Sequence, residues 1–162
     1  SFPTRRSSDL SAVKLYFMIG LPSEMDEDVM GIADLAQKVR QCYFAVPKGQ
    51  RAPGLRITVS ASVFVPKPHT PFEWAAQLDR ETIHRRQQML RQALATMKGV
   101  DFKYHEMDVS FVEAAFARGD RRIGEVLLRA WQLGCRFDGW TEYFHMDLWM
   151  RAFAEAGLDP AF

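Results

Sequence analysis

Two stretches decide the fold: AVKLYFMIGLPSEMDEDV at residues 12–29 and LRITVSASVFVPKPHTPF at residues 55–72. Each begins with an apolar run whose side chains alternate between two faces, which is the pattern of a β-strand. Each run then ends in residues that break regular structure, a glycine and a proline in the first stretch and three prolines in the second. The spacing of apolar residues after the first stretch predicts a helix from about 26 to about 40, with Ser23 and Asp26 resembling a capping pair.

A second helix and a third, weaker strand continue the pattern. The helix is predicted to begin near Asp79, and the strand DFKYHEM to cover 101–107. The helix residues expected to face inward are Ile83, Leu90, Leu94 and Met97. The order strand, helix, strand, helix, strand is typical of a parallel α/β sheet.

The chain after about residue 108 is predicted to be all-helical, as a carboxy-terminal extension would be. Ser110 and Glu113 have the spacing of a capping box for a helix ending at Gly119. Asp120 is predicted to cap the next helix, which Gly134 ends, and a last helix is expected over about 145–156. The expected inward residues of the second of these helices are Ile123, Val126, Leu127, Ala130 and Trp131. The aromatic residues expected in the core are Trp131, Phe137, Trp140 and Trp149.

Composition excludes several classes of protein. A hydrophobic share of 48% and a charged share of 25% over 162 residues are ordinary for a globular domain. No apolar run approaches the roughly 20 residues that cross a bilayer, so no membrane partner is expected. The two cysteines, Cys42 and Cys135, are too few for a disulfide framework, which favours a cytoplasmic location.

Residues 1–10, SFPTRRSSDL, resemble the translated read-through of a sequencing adaptor and are set aside as an artefactual leader; a natural disordered leader is the alternative. Removing their two arginines and one aspartate balances the 21 basic and 20 acidic residues, so no nucleic-acid partner is expected. The first methionine, Met18, lies inside the first strand, and three strands are too few for a closed barrel. The chain is therefore predicted to be truncated at its amino end.

Two motifs resemble those of radical S-adenosylmethionine enzymes. YFMIGLPSEMDEDV resembles a strand followed by G-[LF]-P-x-E-[ST]-x-x-D, with Met25 where threonine is commoner in the family. VFVPKPHTPF resembles a later strand that ends in P-x-P-x-T-P. The segment RGDRRIGEVLLRAWQLGCRFDGWTEYF is similar to the tail of a large uncharacterised subfamily that carries a cobalamin-binding domain ahead of the barrel. The resemblance covers residues 12–162.

The resemblance implies an α/β fold: the last strands, about three, of a partial (β/α) barrel over 11–107, followed by a helical extension over 108–162. Such enzymes bind a [4Fe–4S] cluster through C-x-x-x-C-x-x-C and use it to cleave S-adenosylmethionine into a radical. This chain has no such motif. It is therefore expected to be inert alone, with the missing amino-terminal half as its partner, cobalamin as a candidate further cofactor, and an unknown substrate.

Functional residues of parallel α/β folds gather at the carboxyl ends of strands. The cofactor-binding residues that the resemblance implies are Gly20, Leu21, Pro22, Glu24, Ser60, Ser62 and Val65. The candidate substrate-binding residues are Lys67, His69, Arg118 and Arg121. The serines can instead serve only strand pairing, Lys67 and His69 can simply be solvated, and the arginines can belong to a helix cap with salt bridges.

A different class of function stays open at this point. The chain can be a complete, non-catalytic α/β module that binds or assembles with a partner through an exposed strand edge. A complete hydrolase is disfavoured, because the sequence has neither G-x-S-x-G nor H-E-x-x-H.

Overall fold

A computed structural model of the chain describes residues 11–160. These form two compact units, the sheet unit (residues 11–63 and 81–104) and the helical unit (residues 64–80 and 105–160). The elements are β1 Ala12–Ile19, α1 Asp26–Ala45, β2 Arg56–Val63, α2 Arg80–Ala95, β3 Val100–Tyr104, α3 Met107–Arg118, α4 Ile123–Leu133 and α5 Met146–Glu155. The loop after β2 thus groups with the helices that follow residue 104. The leader at residues 1–10 lies outside the described range.

The sheet unit contains three parallel strands in the order β1-β2-β3. Tyr16 pairs with Ser60 and Met18 with Ser62, and Ser60 also pairs with Lys103 of β3. The predicted strand–helix order and the parallel α/β class are confirmed.

One face of this sheet is apolar and the other is polar. Ile57 and Val59 of β2 are fully buried, as are Val29 of α1 and Ile83 of α2. Each crossover moves to the next strand in the same direction, and right-handed crossovers of that kind place both helices on one face. Tyr16, on the opposite face, is 74% exposed. Among its described residues the sheet unit has no helix to cover that second face.

The start of α1 differs from the expected capping pair. Ser23 has a left-handed backbone (φ 63°), and the helix begins only at Asp26. The Asp28 carboxylate accepts a hydrogen bond of 2.9 Å from the Met25 backbone N–H and caps the helix. The pairing of Ser23 with Asp26 was wrong because Asp26 is engaged by arginines of α2.

Two boundaries near β3 also differ. Ile83, Leu90 and Leu94 of α2 are buried, as predicted, but Met97 lies beyond the helix in a turn and is only half-buried. The strand ends at Tyr104; of the three further residues assigned to it, His105 and Glu106 lie between the elements and Met107 is the first residue of α3. The polar run after Tyr104 offers no apolar alternation to extend the strand.

In the helical unit α3 begins four residues earlier than the capping-box pattern predicts, since its N-cap is Glu106 and not Ser110. Ser110 is therefore inside the first turns, 3% exposed, and its hydroxyl donates to the Glu106 carbonyl at 3.4 Å. The predicted end at Gly119 is confirmed. A serine and a glutamate three apart also occur within helices, where the hydroxyl bonds a carbonyl one turn back.

The helix α4 buries a narrower face than predicted. Ile123, Val126 and Ala130 are buried, whereas Leu127 and Trp131 are 53% and 57% exposed. Asp120 does not cap the helix directly, because its carboxylate binds the Arg122 backbone N–H at 2.9 Å in the preceding turn. The predicted end at Gly134 is confirmed, with a φ of 104° that favours glycine.

Of the aromatic residues expected in the core, one is buried. Trp149 of α5 is 6% exposed, and its indole N–H donates to Asp138 Oδ1 at 3.2 Å. Phe137, Trp140 and Trp131 are all more than half exposed, so their assignment to the core was wrong. The helix α5 packs on one side of α4 and leaves the second apolar side of α4 open. Across residues 11–160 no helix is both long and apolar enough to cross a membrane.

Candidate functional site

The first loop, Gly20–Met25, connects β1 to α1 and contains four of the predicted cofactor-binding residues. Gly20 has φ 89°, a conformation that favours glycine, and its backbone N–H donates to Glu24 Oε2 at 2.7 Å. The Glu24 N–H donates to the Leu21 carbonyl at 3.1 Å. The turn therefore closes on the Glu24 carboxylate, while Pro22 stays exposed and Leu21 half-buried.

Glu24 forms a buried ion pair with Arg86 of α2, which is 62 residues away along the chain. The Arg86 guanidinium donates to Glu24 Oε2 at 2.7 Å and to the Glu24 carbonyl at 2.8 Å. Both side chains are under 10% exposed. A charge pair taken out of water persists only when its donors and acceptors are satisfied, as they are here. The Glu24 carboxylate thus acts within the fold, and a ligand at this loop would meet its backbone instead.

Asp26, at the first position of α1, extends this network. Arg85 donates to both of its carboxylate oxygens, at 2.5 and 3.0 Å, and Arg86 Nε donates at 3.0 Å. The hydrogen bond from Arg85 is the main reason that the pKa of Asp26 lies below its ordinary value, with a further contribution from Arg86. Two arginines of α2 therefore hold the first loop and the start of α1.

Ser60 and Ser62 lie on the open face of the sheet, level with Tyr16 and Met18 of β1. Both serines are half-buried, and neither hydroxyl has a hydrogen-bond partner among residues 11–160. Free hydroxyls on a face without a covering helix can bind a polar ligand. Alternation along the strands predicts this face, because Tyr16, Met18, Ser60 and Ser62 all lie opposite the apolar residues of their strands.

The second loop, Phe64–Asp79, follows β2 and belongs to the helical unit. Lys67 forms a 2.5 Å ion pair with Glu113 of α3, so its ammonium is engaged, although the side chain is 47% exposed. His69 is exposed with a left-handed backbone (φ 60°), and its N–H donates to Glu73 Oε2 at 2.9 Å. Val65 is half-buried at the start of the loop.

Arg118 and Arg121 have different surroundings. Arg118 lines a groove of about 590 Å³ in the helical unit together with Trp74, and its guanidinium donates to the Ala75 carbonyl at 3.3 Å. Arg121 is exposed in the turn before α4 and does not line this groove. In that turn Arg122 pairs with Asp120 at 3.0 Å, and this hydrogen bond is the main reason that the pKa of Asp120 is lowered.

Sequence reasoning missed Trp74 and Gln77, which also line the groove. Trp74 is 87% exposed, which is unusual for so large an apolar side chain. The sequence did contain a signal for the exposure of Trp74, which follows three closely spaced prolines. A rigid, irregular loop of this kind can hold a large side chain out of the core.

The described residues do not fit an iron–sulfur cluster. Cys42 is exposed on α1 of the sheet unit, and Cys135 is buried in the helical unit, where burial raises the pKa of its thiol. No group of three His, Cys, Asp or Glu side chains in residues 11–160 is arranged to hold a metal ion.

Comparison with known proteins gives one distant relationship. The chain is 30% identical over 115 residues to the protein described as Uncharacterized protein MJ0966 of Methanocaldococcus jannaschii. The aligned part is 71% of this chain but 23% of that protein, so the chain spans less than a quarter of its relative. No family model matches the sequence, and no solved structure matches it.

Proposed function

We propose that this chain is the carboxy-terminal part of a radical S-adenosylmethionine enzyme. It would supply the last strands of a partial barrel and a helical extension. The carrying observation is the sheet of order β1-β2-β3 with helices on one face and a polar, uncovered second face. In a (β/α) barrel the helices cover the outer face of every strand, and the inner face of every strand points into the barrel.

The polar face supports a cofactor site. Ser60 and Ser62 carry hydroxyls without partners among the described residues, beside Tyr16 and Met18 of the neighbouring strand. Thr58 and Lys103 lie on the same face by alternation along their strands. Hydroxyl and ammonium donors on this surface suit the carboxylate and ribose of S-adenosylmethionine.

The first loop would act as a rigid wall next to that face. Glu24 and Arg86 fix its backbone from inside, which leaves Pro22 and Ser23 on its outer surface. S-adenosylmethionine, reduced by a cluster held elsewhere in the parent protein, would supply the radical chemistry. The residues of this chain would bind, orient and shield the cofactor.

The length of the relative agrees with a chain that is one part of a larger protein. Because the aligned part is 23% of that relative, most of such a protein would lie outside this chain. Cobalamin and the substrate belong to the proposal only through the sequence resemblance.

The test begins with the upstream reading frame, recovered by long-read sequencing. We expect it to continue into earlier strands and a C-x-x-x-C-x-x-C motif. The whole protein, reconstituted anaerobically with iron and sulfide, should then release 5′-deoxyadenosine from S-adenosylmethionine when dithionite is added. The 162-residue chain alone should release none. The proposal would be wrong if the upstream frame lacked the cysteine motif, or if the reconstituted protein did not cleave S-adenosylmethionine.

The site is tested in the same protein with Ser60→Ala/Ser62→Ala. Loss of two hydrogen bonds should raise the KM for S-adenosylmethionine about tenfold. The matched control is Thr96→Ala, which removes a hydroxyl that bonds the Ala93 carbonyl at the end of α2. Normal cleavage with an unchanged KM in the double variant would leave the proposed activity standing. It would show that these two serines do not bind S-adenosylmethionine.

A non-catalytic assembly module is the second candidate, favoured by the outer edge of β1. Within residues 11–160 that edge has no strand partner, and such an edge can accept a strand from another protein. A start codon directly before codon 11, with the chain a stable monomer, would favour this candidate.

A further inference from the structure

The helical unit contains a groove with features of a ligand site. None of its residues belongs to the proposed cofactor face. It has a volume of about 590 Å³, within the range of small-molecule pockets. Its wall combines aromatic rings with basic groups, and its lining includes Trp74, Gln77, Arg80, Phe111 and Arg118. All of them belong to the second loop, the first residue of α2, or α3.

The second loop is fixed against α3 from inside. The Gln77 side-chain amide donates to the Phe64 carbonyl at 3.3 Å and to the Ser110 carbonyl at 3.4 Å. Phe72 packs edge-on against Phe64, with ring centroids 5.8 Å apart. Trp74 is therefore exposed on a loop that is held in place by the contacts of Phe72 before it and Gln77 after it.

The two arginines of the groove differ in what they already bind. Arg80 forms an ion pair with Asp108, and its guanidinium lies 5.8 Å from the centre of the Phe111 ring. Arg118 donates one hydrogen bond, to the Ala75 carbonyl, and forms no ion pair within the described part of the chain. Its remaining N–H donors form no hydrogen bond or ion pair with another described residue, although the acidic Asp79 also lines the groove.

We infer that this groove binds a small ligand that carries a planar aromatic ring and an anionic group. The ring would stack on Trp74, and a carboxylate or phosphate would bind Arg118, since a guanidinium grips such groups with two parallel hydrogen bonds. The indole supplies a large, flat apolar surface, and the arginine supplies the charge that orients the ligand. This inference does not depend on radical chemistry.

The helical unit contains a second exposed tryptophan that serves as an internal control. Arg136 lies 4.8 Å from the centre of the Trp131 ring and donates to the Trp131 and Cys135 carbonyls at 2.7 and 2.6 Å. This ring already has a guanidinium on it, and that arginine is engaged by two carbonyls. Trp131 and Arg136 therefore resemble Trp74 and Arg118 in composition but lack the free anion-binding group.

The experiment uses the 162-residue chain with nitrogen-labelled tryptophan and two probes, naphthoate and its neutral analogue naphthamide. The four indole signals are assigned with single Trp→Phe variants. We expect naphthoate to shift the Trp74 signal and to bind about tenfold more tightly than naphthamide. Arg118→Gln should weaken naphthoate binding about tenfold and abolish the preference for the anion, whereas Arg136→Gln should change neither.

The buried Trp149 indole, bonded to Asp138, reports whether each variant keeps the fold of the helical unit. Arg118→Lys provides a second variant, in which part of the preference for naphthoate should return. Equal affinity for the two probes, shifts confined to tryptophans other than Trp74, or no binding at millimolar probe would each overturn the inference.

Discussion

The first loop and the second loop both follow a strand of the same sheet, yet they use their polar residues in opposite ways. The first loop turns its acidic side chain inward, where Glu24 and Arg86 form a buried ion pair. The second loop is anchored by the neutral amide of Gln77 and exposes Trp74. The comparison teaches that a loop motif with a charged residue is not by itself a ligand site. A charged side chain can bind a ligand only when no other side chain of the folded protein already pairs with it.

The largest expected effect comes from breaking the anchor of the first loop. Arg86→Met leaves the Glu24 carboxylate buried without its partner, so the free energy of unfolding should fall by about 3–5 kcal/mol. Urea denaturation followed by far-UV circular dichroism measures this loss.

The matched control is Arg85→Met, because Arg85 is the exposed arginine of the same network, with 54% of its side chain accessible. Its effect should be far smaller, as for other exposed ion pairs. The double variant Glu24→Gln/Arg86→Met should recover part of the loss, since no unpaired buried charge remains. Equal destabilisation by the two single arginine variants would contradict the burial of the pair.

An intermediate effect is expected for the anchor of the second loop. Gln77→Leu removes the hydrogen bonds to the carbonyls of Phe64 and Ser110, and should lower the free energy of unfolding by about 1–2 kcal/mol. The same variant should weaken naphthoate binding at Trp74, because the groove wall loses its attachment. Gln132→Leu, on the exposed side of α4, is the surface control and should stay within about 0.5 kcal/mol. If Gln77→Leu changed neither the free energy of unfolding nor naphthoate binding, the amide would not be the anchor of the second loop.

The smallest effect is a pH dependence in the first loop. The pKa of Asp26 is lowered by Arg85, so its folded-state pKa lies below its unfolded-state pKa of about 3.9. Its stabilising contribution is therefore complete above that unfolded value and is lost as the pH falls through the lower folded value. Urea midpoints of the parent chain and Asp26→Asn should differ near neutral pH and converge in acid. A difference that stays constant into strong acid would show that Asp26 does not act through its charge.

Local sequence rules predicted the framework of both units. Period-two alternation identified β1 and β2 and assigned their faces, because side-chain direction along a strand follows from backbone geometry alone. Gly134 marked a helix end because its left-handed conformation suits a residue without Cβ. Capping residues were less reliable: Ser23, Ser110 and Asp120 each had an acceptable spacing and a different role in the fold.

The candidate sites were predicted only in part. Ser60 and Ser62 lie on the open face, as alternation implied, and Arg118 lines a groove with Trp74, which the sequence did not single out. Whether radical chemistry uses the first of these sites stays a prediction.

The sequence by itself determined the order of the elements and the faces of the strands, because both follow from contacts between near neighbours in the chain. The tertiary structure alone decided what each side chain meets. Glu24 finds Arg86 across 62 residues, and α4 carries apolar residues on two sides, of which α5 covers one. Such pairings depend on which surfaces pack after the chain collapses, so no local pattern could separate the buried Trp149 from the exposed Trp131.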